Sequence, residues 1–378
     1  MRVAILANFP LHVIPSLSGG KPAKGHYATW LPPLAEADAQ EDGIERIWIT
    51  LDQNVTEDKR VTIWNQTLIV LPTSATGRAS SFFRKDRAAI ARVLRELKPD
   101  LVHGWGTEDV YAWAAVESDF PSVVCMQGIL SYYILHAKID WRTCFQALFE
   151  LHVFRKGTTF VGESPWAAAI LKKKMPDKEI VQIDYAVHPD FFAGKWAPDP
   201  QAPIALFAGT LEQRKGFDDV LQAFRSPLLK NHTLWVAGTG PMLEEARKQP
   251  NVKLLGRIDR PQLIEAMSKA WCLVIPTRCD TGPMIVKEAR VAGLPVVTTK
   301  EGGQSTYIKE GGNGFFVRKG DISSLAERLD ALLSNYDFCL QRGKDGWEQD
   351  RASFRVELMA EKFRELYRSI HQRTVLSR

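Results

Sequence analysis

Residues 278–303 read RCDTGPMIVKEARVAGLPVVTTKEGG. Two acids, Asp280 and Glu288, stand eight positions apart around what reads as the start of a helix. Pro283 has no N–H to lose and suits the first turn. Gly293 suits the stop. The free amide groups around Gly282, Pro283, Met284 and Ile285 then form a helix N-terminus, which is a site for anions. Asp280 would repel a phosphate beside it and is better suited to accept hydrogen bonds from hydroxyls. Glu288, further along the helix, is a second acceptor. A ligand with hydroxyls at both ends and phosphate between them fits this pattern, and a sugar nucleotide has that layout. The plainer alternative is that Asp280 caps the helix and Glu288 faces solvent.

Other stretches supply complementary chemistry. In "FAGTLEQRKGFDDVLQAF", Gly209 leaves an apolar run, Gly216 precedes a helical pattern, and Arg214 and Lys215 are placed to neutralise a diphosphate. A solvated turn is the alternative. "AGTGP" brings Gly238 and Gly240 to a tight turn or a close backbone approach. Gly256 and Arg257 fall at the end of "VKLLG". In "VHGWGTED", His103, Trp105, Glu108 and Asp109 follow another strand end, with loop or helix-cap duty as the alternative to ligand contact. No G-x-G-x-x-G fingerprint is present. His12, His26, His136 and His188 form no ligand cluster, and no Asp-x-Asp metal loop stands out.

Elements must deliver these residues to one place. The first half carries the apolar runs "VAILANF", "RIWITL", "TLIVLP", "DLVHGW", "SVVCMQG", "TTFVGES" and "IVQIDYAV", which read as buried strands. "FFRKDRAAIARVLRELKPD" is the clearest helix, whereas Pro32 and Pro33 interrupt the one expected in "HYATWLPPLAEA". Prolines between Trp196 and Ile204 read as a linker. A second series follows: "IALFAG", "HTLWVAG", "VKLLG", "WCLVIPT", "PVVTT" and "GFFV". Strand–helix alternation twice over predicts an α/β chain with two doubly wound parallel sheets. The expected limits are 1–196 for a first Rossmann-like domain, 203–345 for a second, and 346–378 for a terminal helix packed back on the first. In that helix Val356, Met359, Phe363, Leu366 and Ile370 share a stripe.

The chain has 378 residues, 45% hydrophobic and 25% charged, with a net charge of +5. That is the composition of a globular protein of two domains. The charge is spread out, and no nucleic-acid-binding signature appears. Cys125, Cys144, Cys272, Cys279 and Cys339 are an odd, scattered set, mostly among apolar residues. They read as reduced thiols, which suits the cytoplasm. No apolar stretch approaches the ~20 residues of a membrane span. Arg78, Arg84, Lys85, Arg87, Arg92 and Arg95, with Phe82 and Phe83, suggest peripheral contact with anionic lipid. A solvated helix face is the alternative.

The ordered series "FAGTLEQRKG", "VAGTGP", "LLGRID", "VIPTRCDTGPMIVKEARVAGLPVV", "KEGG" and "GGNGFFV" resembles the group 1 retaining glycosyltransferases, of GT-B fold. The resemblance covers the second half closely and the first half loosely, through "SGG" and "DLVHGWGTED". It implies two Rossmann-like domains facing across a cleft, with a nucleotide-sugar donor linked to UDP or GDP, no metal, and a saccharide or lipid-linked acceptor in surface polysaccharide synthesis. By the same resemblance, Asp280 meets the donor sugar, Glu288 the ribose, and Lys215 the diphosphate. Arg214 replaces the charge of an arginine that many members carry where Thr210 stands. Arg257 and Ile258 hold the base, and Gly19 and Gly20 approach the donor phosphate. Gln127 takes the place of a histidine near the sugar, and glutamine cannot exchange a proton. His103, Trp105 and Glu108 fall on the acceptor side. Transfer with retention is implied, the leaving diphosphate taking the acceptor proton. On this basis Asp280→Asn leaves diphosphate affinity nearly intact. A nucleotide-sugar-binding relative without transfer, or an epimerase or hydrolase of the same fold, is the rival reading.

Overall fold

The computed structural model describes residues 1–18, 28–39, 42–136 and 141–376. They pack as two units. The first runs to Ala186 and is completed by the stretch from Val356 onward, and the second extends from Val187 to Arg355. The chain thus changes unit at 186/187 and 355/356, where the sequence suggested 196–203 and 345/346.

The first unit is built on an eight-stranded sheet. Its strands are β1 (Arg2–Leu6), β2 (Glu45–Asp52), β3 (Lys59–Ile63), β4 (Gln66–Pro72), β5 (Leu101–Trp105), β6 (Ser122–Cys125), β7 (Thr159–Gly162) and β8 (Glu179–Gln182). Their order is β3-β4-β2-β1-β5-β6-β7-β8. All neighbours are parallel except β3 and β4, so the expectation of a wholly parallel sheet is corrected at one edge. β3, KRVTI, is short and charged, the composition by which edge strands avoid pairing with other chains. The helices used below are α1 (Leu31–Ala37), α2 (Arg84–Leu97), α3 (Val110–Val116), α4 (Leu130–His136), α5 (Trp141–Lys156) and α6 (Pro165–Lys174). Pro32 and Pro33 lie in the first turn of α1, where a missing N–H costs nothing, so they start that helix rather than interrupt it.

The second unit holds six parallel strands: β9 (Ile204–Ala208), β10 (Thr233–Ala237), β11 (Val252–Gly256), β12 (Cys272–Ile275), β13 (Val296–Thr299) and β14 (Gly314–Val317). Their order is β11-β10-β9-β12-β13-β14. Each corresponds to an apolar run, because the inner strands are buried on both faces and need apolar residues throughout, while the edge strand β11 is only half-buried. Its helices include α7 (Phe217–Ala223), α8 (Arg260–Lys269), α9 (Met284–Ala292), α10 (Ile322–Leu333) and α11 (Trp347–Ser353). Arg290 of α9 is fully buried and pairs with Asp350 of α11 at 2.7 Å, which fastens α11 to the second unit.

The last helix, α12 (Val356–Leu376), belongs to the first unit. It buries Val356, Met359, Phe363, Leu366 and Ile370, the stripe seen in the sequence, together with Ala360 and Tyr367. Tyr367 Oη lies 2.6 Å from His103 Nδ1, and His103 Nε2 lies 2.8 Å from Cys125 Sγ. Arg364 donates to Asp38 at 3.3 Å, and Asp38 also faces the buried Arg46 at 3.2 Å.

Candidate functional site

In an open parallel sheet the ligand crevice opens where the strand order turns back on itself, beyond the carboxyl ends. In the second unit that point lies between β9 and β12. The loop after β9 carries Thr210, Arg214 and Lys215, and the loop after β12 carries Asp280. Gly216 ends the first loop at φ +70°, and a Cβ there would stand 2.1 Å from the Pro276 carbonyl oxygen. Only glycine allows this approach.

The two loops are sewn together. Arg278 N and Thr277 Oγ1 both donate to the Arg214 carbonyl, at 2.8 and 3.2 Å. Arg214 Nη1 donates to the Cys279 carbonyl at 3.3 Å, and its guanidinium pairs with Glu212 at 2.8 Å. Lys215 Nζ pairs with Asp280 Oδ2. Burial pushes the Asp280 carboxyl up, but the charges of Lys215 and Arg214, with hydrogen bonds from Lys215 and Gly282, hold it below the usual carboxylate range. All three catalytic candidates, Asp280, Arg214 and Lys215, therefore meet. Arg278, which the sequence reading gave no role, donates to Asp218 at 2.7 Å and Asp219 at 2.8 Å. The signal was present in the Asp-Asp pair opening α7, but nothing local tied it to Arg278.

No side chain caps α9, and its N-cap is Pro283, one position before the first turn. Asp280 accepts from Gly282 N at 3.4 Å and does not cap the helix. Gly282 and Pro283 are buried, while Met284 and Ile285 are half-buried. Glu288 is 9% exposed, and no hydrogen bond or ion pair joins it to another described residue. Burial raises its carboxyl to about 7, opposed by the charge of Arg260. Arg260 opens α8, two positions after Ile258. The three elements carrying Arg257, Arg260 and Glu288 thus converge. Arg257 is exposed and Ile258 packs against the core. Gly238 and Gly240 have the backbone of residues 209–211 as their nearest neighbours, which lets the loops after β9 and β10 touch.

The first unit places its candidates differently. Its switch point lies between β1 and β5. Gly19 and Gly20 lie outside the described residues. His103 and Trp105 are not in a loop. β5 continues through Trp105, and both side chains point into the core, at 0% and 2% exposure. His103 is held between Tyr367 and Cys125, and burial drives its imidazole down to about 3. Neither residue is on an acceptor surface, because strand alternation sends 103 and 105 to the same buried face. Glu108 is half-buried at the end of the β5 loop, its carboxyl raised to about 7 by burial and by Asp109 and Glu150. Asp109 caps α3 and pairs with Arg78 at 2.9 Å. Gln127, half-buried, follows β6. Glu150, unforeseen, accepts from Thr107 Oγ1, Leu130 N and Ser131 N at 2.8–3.0 Å.

Residues 190–349 match the family described as Glycosyl transferases group 1. That match spans most of the second unit. Its aligned relatives include the glycogen synthase of Mycobacterium tuberculosis, 25% identical over 172 residues, which are 43% of this chain and 41% of that protein. The chain therefore matches less than half the length of that relative. Among solved structures, a sucrose-phosphate synthase from Thermosynechococcus elongatus is similar at TM-score 0.80 and 17% identity, covering 98% of this chain and 99% of that one. HepE of Anabaena, in complex with UDP-glucose, is similar at TM-score 0.72 and 15% identity, covering 98% and 100%. The likeness extends over both units, and the fold is GT-B. Among the described residues, no helix is long and apolar enough to cross a membrane, and no group of three His, Cys, Asp or Glu side chains is placed to hold a metal ion.

Proposed function

We propose that this chain transfers a sugar from a nucleoside-diphosphate sugar to a hydroxyl acceptor, with retention of anomeric configuration, in the building of a polysaccharide or glycolipid. The observation that carries the reading is the meeting of Lys215, Arg214 and Asp280 at the switch point of the second sheet, with Glu288 buried on α9 and hydrogen-bonded to none of the described residues. Phosphate oxygens would take Lys215 and Arg214, together with the uncapped amides of Met284 and Ile285. Ribose hydroxyls would donate to Glu288, and the base would lie along Arg257 and Ile258. Freed from Lys215, Asp280 would accept from a sugar hydroxyl.

As the sugar leaves, negative charge builds on the diphosphate, and these cations and amides are aimed where it develops. That charge draws the acceptor proton on the same face, which gives retention without a protein nucleophile. The proposed chemistry uses Lys215 and Arg214 where other transferases use a metal. Relatives named for UDP-glucose binding and glycogen synthesis support a nucleotide-sugar donor and a glycan product.

Titration calorimetry with UDP and GDP in excess chelator tests the binding half. Saturable binding by one of them is the expected result, and an absolute metal requirement would remove the role given to Lys215 and Arg214. Donor turnover is then followed with saccharide acceptors. Hydrolysis of donor with no transfer to any acceptor would favour the hydrolase-like rival.

A further inference from the structure

One face of the first unit carries exposed apolar side chains on which none of the described residues packs. On α5, Cys144, Leu148, Leu151 and Arg155 are exposed, and their spacing of four, three and four puts them on one stripe. Leu148 is 58% and Leu151 44% exposed. Leu151 and Arg155 also line a cavity of about 340 Å³, with Phe154, Lys174 and Lys178. Ser131 of α4 lines it too, and Leu135, one turn on from Ser131, is 73% exposed.

Charge surrounds this apolar strip on one side. Arg155 and Lys156 end α5, Lys172, Lys173 and Lys174 end α6, and Lys178 follows in the turn to β8. Among the described residues, Asp177 is the one carboxylate lining the cavity. Glu117 is occupied by His152 at 2.6 Å, and Glu179 by Arg373 at 3.0 Å. The basic stretch noticed in the sequence differs. There Arg78 is spent on Asp86 and Asp109, Arg92 on Asp58 and Glu96, Arg87 lies over the Trp113 ring, and Phe83 is buried.

We propose that the α5–α6 face docks on an anionic lipid surface, with Leu148, Leu151 and Leu135 entering the acyl boundary and the cationic cavity taking phosphate headgroups. A lipid–water boundary offers apolar contact and anions side by side, as this face requires. A free phosphate would use the cavity and leave the leucines in water. The turn from α6 to β8 lies at the amino ends of the strands, and from there α5 reaches back to the carboxyl-end loops, where Gln146 donates to the Glu108 carbonyl and Glu150 accepts from Thr107 Oγ1 and Leu130 N. The inference stands independently of the transfer reaction.

Cys144 supplies a reporter on the stripe itself, since it is exposed and the other four cysteines are buried. An environment-sensitive fluorophore on Cys144 of the full chain is mixed with vesicles of phosphatidylglycerol and phosphatidylcholine, or of phosphatidylcholine alone. The expected result is a blue shift and co-sedimentation with the anionic vesicles only, weakened by salt. Leu148→Ser with Leu151→Ser should abolish the shift, and Arg155→Ala with Lys174→Ala should weaken binding by roughly 25-fold, about fivefold per cation. Arg84→Ala with Lys85→Ala should bind as the parent does. Thermal melts and circular dichroism of each variant confirm folding. Sedimentation without a shift at Cys144, or loss of binding in the Arg84/Lys85 variant alone, would overturn the assignment of this face. No binding at low salt, or full release by inorganic phosphate at matched ionic strength, would overturn the lipid surface as its partner.

Discussion

Lys215 and Asp280 pair with each other, so a diphosphate that takes Lys215 must break that pair. Asp280→Asn removes both the competitor and a negative charge, and diphosphate affinity should rise on the order of tenfold. Calorimetry with the free diphosphate checks this, and unchanged affinity, as the sequence alone suggested, would mean the pair carries no weight. Transfer should nevertheless fall, because the sugar loses an acceptor. Glu288 makes a second prediction. Its folded carboxyl lies near 7, against an ordinary 4.5, so the folded chain holds this proton more tightly than the unfolded one. Its contribution to stability is therefore greatest below about 4.5 and is lost as pH rises toward 7. Hydroxyls donate best to the ionised form, so diphosphate affinity should climb with pH through 7. Glu288→Gln should flatten the profile and lower the affinity at pH 8. The two acids were legible because type and spacing are local properties. Their different fates were not, since one depends on a lysine 65 residues away and the other on burial without a hydrogen-bond partner among the described residues.

Arg278 works at the level of the elements, tying the loop after β12 to the start of α7. Arg278→Met would leave Asp218 and Asp219 facing each other without their shared cation. A loss of about 2–3 kcal/mol follows, below the range for a fully buried pair because water reaches all three side chains. Thermal unfolding of the variant measures it, and Asp218→Asn in the same background should recover part of the loss by removing the repulsion. The strands of both sheets were readable, since double burial forces uninterrupted apolar sequence. β3 escaped because an edge strand with three polar residues in five has no such signature. α1 was misjudged because two prolines read as a break wherever the helix start is unknown. His103 passed for a loop residue because a buried imidazole with two partners looks the same in sequence as a solvated one.

Across the whole chain, α12 is the element that the first unit cannot do without. It buries Val356, Met359, Phe363, Leu366 and Ile370, and each such side chain contributes roughly 1.5–3 kcal/mol on burial. Their sum rivals the ~5–15 kcal/mol that holds a domain together. A chain ending at Arg355 should thus lose the melting transition of the first unit and keep that of the second, with diphosphate binding intact. Calorimetry separates the two, and survival of both transitions would show that α12 is dispensable. A ribosome makes these residues in a fixed order. The sheet begun by the first residues must wait, its Trp105 and His103 side unsealed, while the whole of the second unit emerges and folds. Nascent chains stalled before Val356 would carry one finished domain and one open apolar face, the form on which a chaperone acts.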